Sequence, residues 1–140
     1  MIEIEISLEY WNKLADQIIM ISSLLAGFSI AVVANFLVSE TNNRLMRNIM
    51  KFAVTAASFF LIALFSMTKI LMMTTEGFPF KVSGDDLMFP KLIGGISFFI
   101  GIISLITMVS LSGWTKSKKL GRFTTVIGIL ALILILFMLT

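Results

Sequence analysis

The sequence predicts an all-α membrane protein of four transmembrane helices, and three observations lead there. Of its 140 residues, 58% are hydrophobic and only 14% charged, against about 45–50% apolar and about 25% charged in soluble domains. Four stretches reach the roughly 20 apolar residues that a helix needs to cross the hydrocarbon layer: Gln17 to Ser39, Phe52 to Thr75, Leu92 to Thr115 and Phe123 to Thr140. The basic residues, finally, gather in the two loops that fall on one side. A chain of this length makes one domain, 1–140, with helices expected over about 7–38, 49–75, 92–114 and 121–140.

The absence of cysteine and histidine removes disulfide scaffolds, thiol redox chemistry, imidazole acid/base work and the common zinc, haem and iron–sulfur sites. The sequence has no Gly-rich phosphate loop, nucleophile elbow or metal-ligand cluster. No enzyme activity, catalytic residue, metal or cofactor is therefore expected. The net charge of +3 calls for no nucleic-acid partner, since juxtamembrane Lys and Arg beside anionic lipid gain about 1 kcal/mol each.

The chain opens with Ile2, Ile4, Ile6 and Leu8 alternating with Glu3, Glu5, Ser7 and Glu9, the period of a half-buried strand. Ser7 is a good helix N-cap and Glu9 suits a helix N-terminus, so an extended start that turns helical near Ser7 is expected. Tyr10 and Trp11 stand where interfacial aromatics anchor a span. The charges ahead of the first span, Glu3, Glu5, Glu9, Lys13 and Asp16, are not the basic leader of a secretory signal, and the span is read as retained. A helix from Ser7 to Val38 would run about 48 Å, longer than the roughly 30 Å core.

Thr41-Asn42-Asn43 offers caps for the second helix. The loop Glu76–Lys91 holds Phe78–Val82 and Leu87–Phe89 on either side of Ser83-Gly84-Asp85-Asp86, a turn-forming tetrad. This reads either as a small outer β-hairpin or as an irregular loop whose phenylalanines dip into the interface. Asp85 and Asp86 could ring the outer mouth of an oligomer with acid and concentrate cations. Ser112-Gly113-Trp114 ends the third helix, and the fourth, mostly Leu and Ile, is the best candidate for an outer, lipid-facing helix.

With four spans, both termini and the 76–91 loop share one side, and loops 40–51 and 116–122 the other. The second side carries Arg44, Arg47, Lys51, Lys116, Lys118, Lys119 and Arg122 against Glu40. Lys/Arg excess in short loops marks the cytosolic face. A multi-pass protein of the plasma or inner membrane follows, with both ends outside and the two basic loops in the cytosol.

Lipid tails are as apolar as leucine, so helices associate in a bilayer by close van der Waals approach at small residues. Gly94, Ser97, Gly101 and Ser104 fall on one face of the third helix and should pack against another. The first helix carries Ser23, Gly27, Ala31 and Asn35 at a spacing of four, with Ser22, Ala26 and Ser29 beside them. That is more small surface than one neighbour needs, and self-association around the first helix would use it. Ionisable residues inside spans are functional candidates by default. Lys69, roughly 9 Å before the outer end of the second helix, is the one such residue, and Asp16 at similar depth is its expected partner in a buried ion pair.

Leu24-Leu25-Ala26-Gly27-Phe28-Ser29-Ile30-Ala31-Val32-Val33-Ala34-Asn35 resembles the pore-lining first helix of the Orai calcium-channel family, and Phe52-Ala53-Val54-Thr55 resembles part of its second helix. The resemblance implies a hexamer of four-span subunits whose first helices surround a narrow pore. Leu24, Phe28 and Ala31 would face that pore, with Gly27 on the same helix face, and Asn35 would occupy the position of the filter acid. The sequence departs from the family in having an amide at that position, in having Met20 where the family has a basic residue, and in a charge bias that puts the N-terminus outside. Calcium selectivity does not transfer.

The function expected from the sequence is a homo-oligomeric pore or ion channel lined by the first helix, constricted at Leu24 and Phe28. The alternative is a non-conducting accessory or scaffold subunit that packs against a larger membrane partner and presents its basic loops to a cytosolic protein.

Overall fold

The first residues of the chain are helical, not extended. In the computed structural model, which describes residues 2–38, 43–75, 77, 79 and 84–139 (2–8 and 84–87 by backbone), α1 spans Ile2–Val38, α2 Arg44–Thr74, α3 Gly84–Ser112 and α4 Lys118–Leu139, with a 3-10 turn at Gly113–Thr115. Each of the four helices is long and apolar enough to cross a membrane. No strand occurs among the described residues.

Two sequence expectations are corrected. The Ile/Glu alternation at 2–9 does not make a strand, because once a helix exists each added residue gains a hydrogen bond without a new nucleation cost. No Gly or Pro interrupts residues 2–26, and glutamates suit a helix N-terminus. The outer hairpin is not formed either: Gly84 to Phe89, half of it, opens α3 instead, with two aspartates in the first turn, where the helix dipole favours them. Residues 80–83 lie outside the described residues. Pro90 sits inside α3 and is buried; it donates no backbone hydrogen bond, yet the helix continues through it.

α2 is the axis of the fold. All of its buried residues but Ala57, namely Ile49, Ala53, Ala56, Phe60, Ala63, Met67 and Ile70, alternate spacings of four and three, the 3.5-residue repeat of left-handed packing. The covered face of α3 has the same rhythm: Pro90, Gly94, Ser97, Gly101, Ser104 and Met108 are all buried. These two rows meet. A Cβ on Gly101 would lie 2.9 Å from the Phe60 ring, and one on Gly94 would lie 2.6 Å from the Met67 Cε. Phe60 then packs edge-on against Phe98 of α3, 6.1 Å between centroids at 72°, a geometry that aromatic pairs prefer.

α1 lies on α2 through Ala15, Ser22, Ala26 and Ser29, all buried. Asn43 caps α2, its side-chain oxygen accepting from the Met46 N–H at 2.8 Å. α4 leans on α3 by one narrow face. Gly121 lies against the Trp114 ring and Gly128 against Ser110. The Thr124 hydroxyl donates to the Ser110 carbonyl at 2.8 Å, one of the carbonyls that the end of α3 leaves without a helical partner. Much of the rest of α4 is exposed, Phe123, Ile129, Ile133 and Met138 among it, while Leu132 and Ile135 pack against the core around Phe60 and Phe98.

Candidate functional site: the outward face of α1 and the groove beside it

The exposed side of α1 follows from where the helix sits. Its covered residues, Ala15, Ser22, Ala26 and Ser29, occupy one narrow sector, so positions rotated by about 100–200° from them point away from the bundle. Leu24, Gly27, Phe28, Ala31 and Asn35 all fall there and all are exposed, Leu24 at 70% and Phe28 at 53%. Nothing lies within 4 Å of a Cβ built on Gly27.

The five are not equivalent. Leu24, Gly27 and Ala31 turn away from the rest of the chain, whereas Phe28 and Asn35 stand at the edge of a groove of about 310 Å³ between α1 and α3. Its α1 wall is Phe28, Val32, Asn35 and Phe36. Met108, Val109 and Ser112 form the opposite wall, and Ile49 of α2 closes the bottom. Behind the lining, Val33 and Ala53 join Val32, Phe36, Ile49 and Met108 in one packed cluster, which ties both walls to α2.

The groove ends at the basic end of the molecule. Arg44, Arg47, Lys51, Lys116, Lys118, Lys119 and Arg122 are all exposed there. Gly94, Ser97, Gly101 and Ser104 face α2, away from this site.

The expected Asp16–Lys69 ion pair is not formed. Both side chains are exposed, and the ion pair found among the described residues is Lys13–Glu9 at 3.4 Å on the surface of α1. The reason is rotational. Lys69 is next to buried Ile70 and on the far side of α2 from Met67, while Asp16 is one step past buried Ala15, so neither points into the seam. Asp85 and Asp86 are in the first turn of α3, and their side chains lie outside the described residues.

Sequence reasoning missed what does hold the opposite end. The Asn12 amide nitrogen donates to the Leu71 carbonyl at 3.3 Å and to the Thr74 and Thr75 hydroxyls at 3.0 and 3.1 Å. The Lys91 ammonium sits 4.0 Å from the centroid of the Trp11 ring, a cation–π contact. The signal was present: Asn12 precedes Ala15 by three residues and Ile19 by seven, placing it beside the covered face. The Ser22 hydroxyl, fully buried in the α1 seam, has no hydrogen-bond partner. No family model matches the chain, and neither a curated protein nor a solved structure does.

Proposed function

We propose that copies of this chain assemble in the membrane around their α1 helices to form a pore, with the basic loops on the cytosolic side. One observation carries the reading: α1 presents Leu24, Gly27 and Ala31 on a face that its own chain leaves uncovered. Small residues in a membrane helix favour close approach of another helix, and here no helix of the same chain takes that place. The resemblance of residues 24–35 to the first helix of the Orai family points the same way.

In this assembly Leu24 forms the narrow apolar ring, which gates by dewetting. Phe28 flanks it, and Asn35 supplies a neutral amide ring toward the cytosolic mouth. Selection by charge is not built into such a lining.

The chain has no cysteine of its own, so single cysteines report cleanly. Leu24→Cys, Gly27→Cys and Ala31→Cys should react with a charged, membrane-impermeant thiol reagent after reconstitution, whereas Ile129→Cys and Ile133→Cys of α4 should not. Oxidation of Ala31→Cys should join two chains. Monomers in mild detergent, with labelling as slow on α1 as on α4, would overturn the pore and leave α1 as the docking face for a different membrane protein.

A further inference from the structure

We propose that the groove between α1 and α3 binds an anionic phospholipid of the leaflet on the basic side, one acyl chain lying in the groove and the headgroup phosphate held at its basic rim. The site lies within one chain and does not need the pore, although Phe28 and Asn35, given above to the pore lining, stand on its α1 wall.

The dimensions select an acyl chain. From Phe28 to Phe36 the groove wall runs about 12 Å along α1, close to half of the roughly 30 Å hydrocarbon core and therefore one leaflet. A helix of that length and about 10 Å diameter would displace roughly three times the groove's volume, so a single acyl chain fits within the groove where a second copy's helix would not. Floor and walls are apolar: Ile49 beneath, Phe28, Val32, Met108 and Val109 at the sides. A soluble polar ligand finds nothing to bond short of Asn35 and Ser112.

The charge selects the headgroup. Asn35 and Ser112 are the polar residues of the lining, and both stand toward the basic end. Ser112 is followed within a few residues by Lys116, Lys118 and Lys119, while Arg44 opens α2 ahead of Ile49. All four cations are exposed, and no acidic residue occurs at this end among the described residues. Basic residues near the membrane surface gain about 1 kcal/mol each from anionic lipid, or roughly fivefold in affinity. A zwitterionic headgroup gains far less, and free phosphate leaves the groove unused.

The test uses the whole chain in vesicles of phosphatidylcholine and phosphatidylglycerol with identical acyl chains, followed by extraction into mild detergent and quantification of the lipid that stays bound. The expected result is retention of about one phosphatidylglycerol per chain, in preference to phosphatidylcholine and not displaced by inorganic phosphate. Lys116→Gln should reduce that preference by about fivefold. Val109→Trp and Val32→Trp each fill the groove from one wall and should abolish retention, with helical content checked by circular dichroism; if one of them misfolds, the other decides. Equal retention of the two lipids by the unmodified protein overturns the proposal without any variant. Undiminished phosphatidylglycerol on a folded groove-filled variant overturns it too, by showing that the headgroup binds the surface alone.

Discussion

The α3 seam and the outward face of α1 carry the same kind of residue, yet one is covered and the other bare. Gly94, Ser97, Gly101 and Ser104 are buried against α2, where the Phe60 ring and Met67 fill the space a side chain would take. Ser23, Gly27, Ala31 and Asn35 are exposed. Small residues report how closely a helix can be approached, not which helix approaches. The spacing adds the missing information. The α3 row alternates three and four, the heptad rhythm that its partner α2 shares. The α1 row repeats every four residues, the pattern of right-handed small-xxx-small crossings. A seam of that hand does not fit the heptad face of α2, and α1 indeed uses a different row, Ala15, Ser22, Ala26 and Ser29, to reach it.

Placing the same substitution on both rows breaks or upholds this contrast most directly. Gly101→Ile drives a Cβ to 2.9 Å from the Phe60 ring, and overpacking of a filled core costs about 1–3 kcal/mol. The expected outcome is a loss of stability at the upper end of that range, read as a lowered thermal unfolding midpoint in detergent. Gly27→Ile meets open space and gains helix propensity of a few tenths of a kcal/mol, so the single chain should be no less stable. Light scattering should instead show that the assembly is lost. A Gly27→Ile variant that assembles normally would mean that the bare face of α1 is turned to lipid.

The number of spans was legible because hydrocarbon thickness imposes a length of apolar sequence that little else produces. The ends of α1 and α3 were legible too, since Val38 and Ser112 lie close to where hydropathy falls. The starts were not: α2 and α4 open at Arg44 and Lys118, ahead of the expected 49 and 121. α1 begins at Ile2 and α3 at Gly84 because hydropathy measures the segment that meets lipid, whereas hydrogen bonding carries a helix on through Glu3 or Asp86 into water. The α3 stripe could be read directly, as glycine and serine at alternating three and four. The groove could not, since Val32, Phe36, Met108 and Val109 are ordinary span residues, and only the way α1 and α3 rest on α2 sets them facing each other.

The clasp at the Asn12 end sharpens the contrast at a smaller scale. Asn12→Leu removes the amide that joins α1 to the last turn of α2. Thr74 and Thr75 keep their own bonds to the Ile70 and Leu71 carbonyls, so no acceptor is left stranded. Interhelical hydrogen bonds in membrane proteins contribute about 0.6 kcal/mol on average and up to about 1.7. A loss of roughly 1 kcal/mol is expected, with the N-terminal half of α1 exchanging its amide hydrogens faster and the C-terminal half unchanged. Ser22→Ala works in the opposite direction. It removes a buried hydroxyl without a partner and should raise stability by up to about 1 kcal/mol, whereas Ser29→Ala, which breaks a bond to the Leu25 carbonyl, should not.

The smallest effect belongs to the two charges that stand apart. Asp16→Asn and Lys69→Met should each leave the single chain's unfolding midpoint within the ordinary scatter of surface changes, about 0.5 kcal/mol, because both side chains are exposed and neither points into the α1–α2 seam. The double variant should show no coupling beyond additivity, about 0.3–0.5 kcal/mol. The same cycle repeated on the assembled protein separates two causes of exposure. Asp16 lies on the side of α1 that carries Ser23 and Gly27, so a neighbouring copy crossing there covers it, while Lys69 stays on the outer side of α2. Coupling that appears only after assembly would place the two charges across a contact between chains, and its absence in both states would assign Lys69 to the lipid headgroups alone.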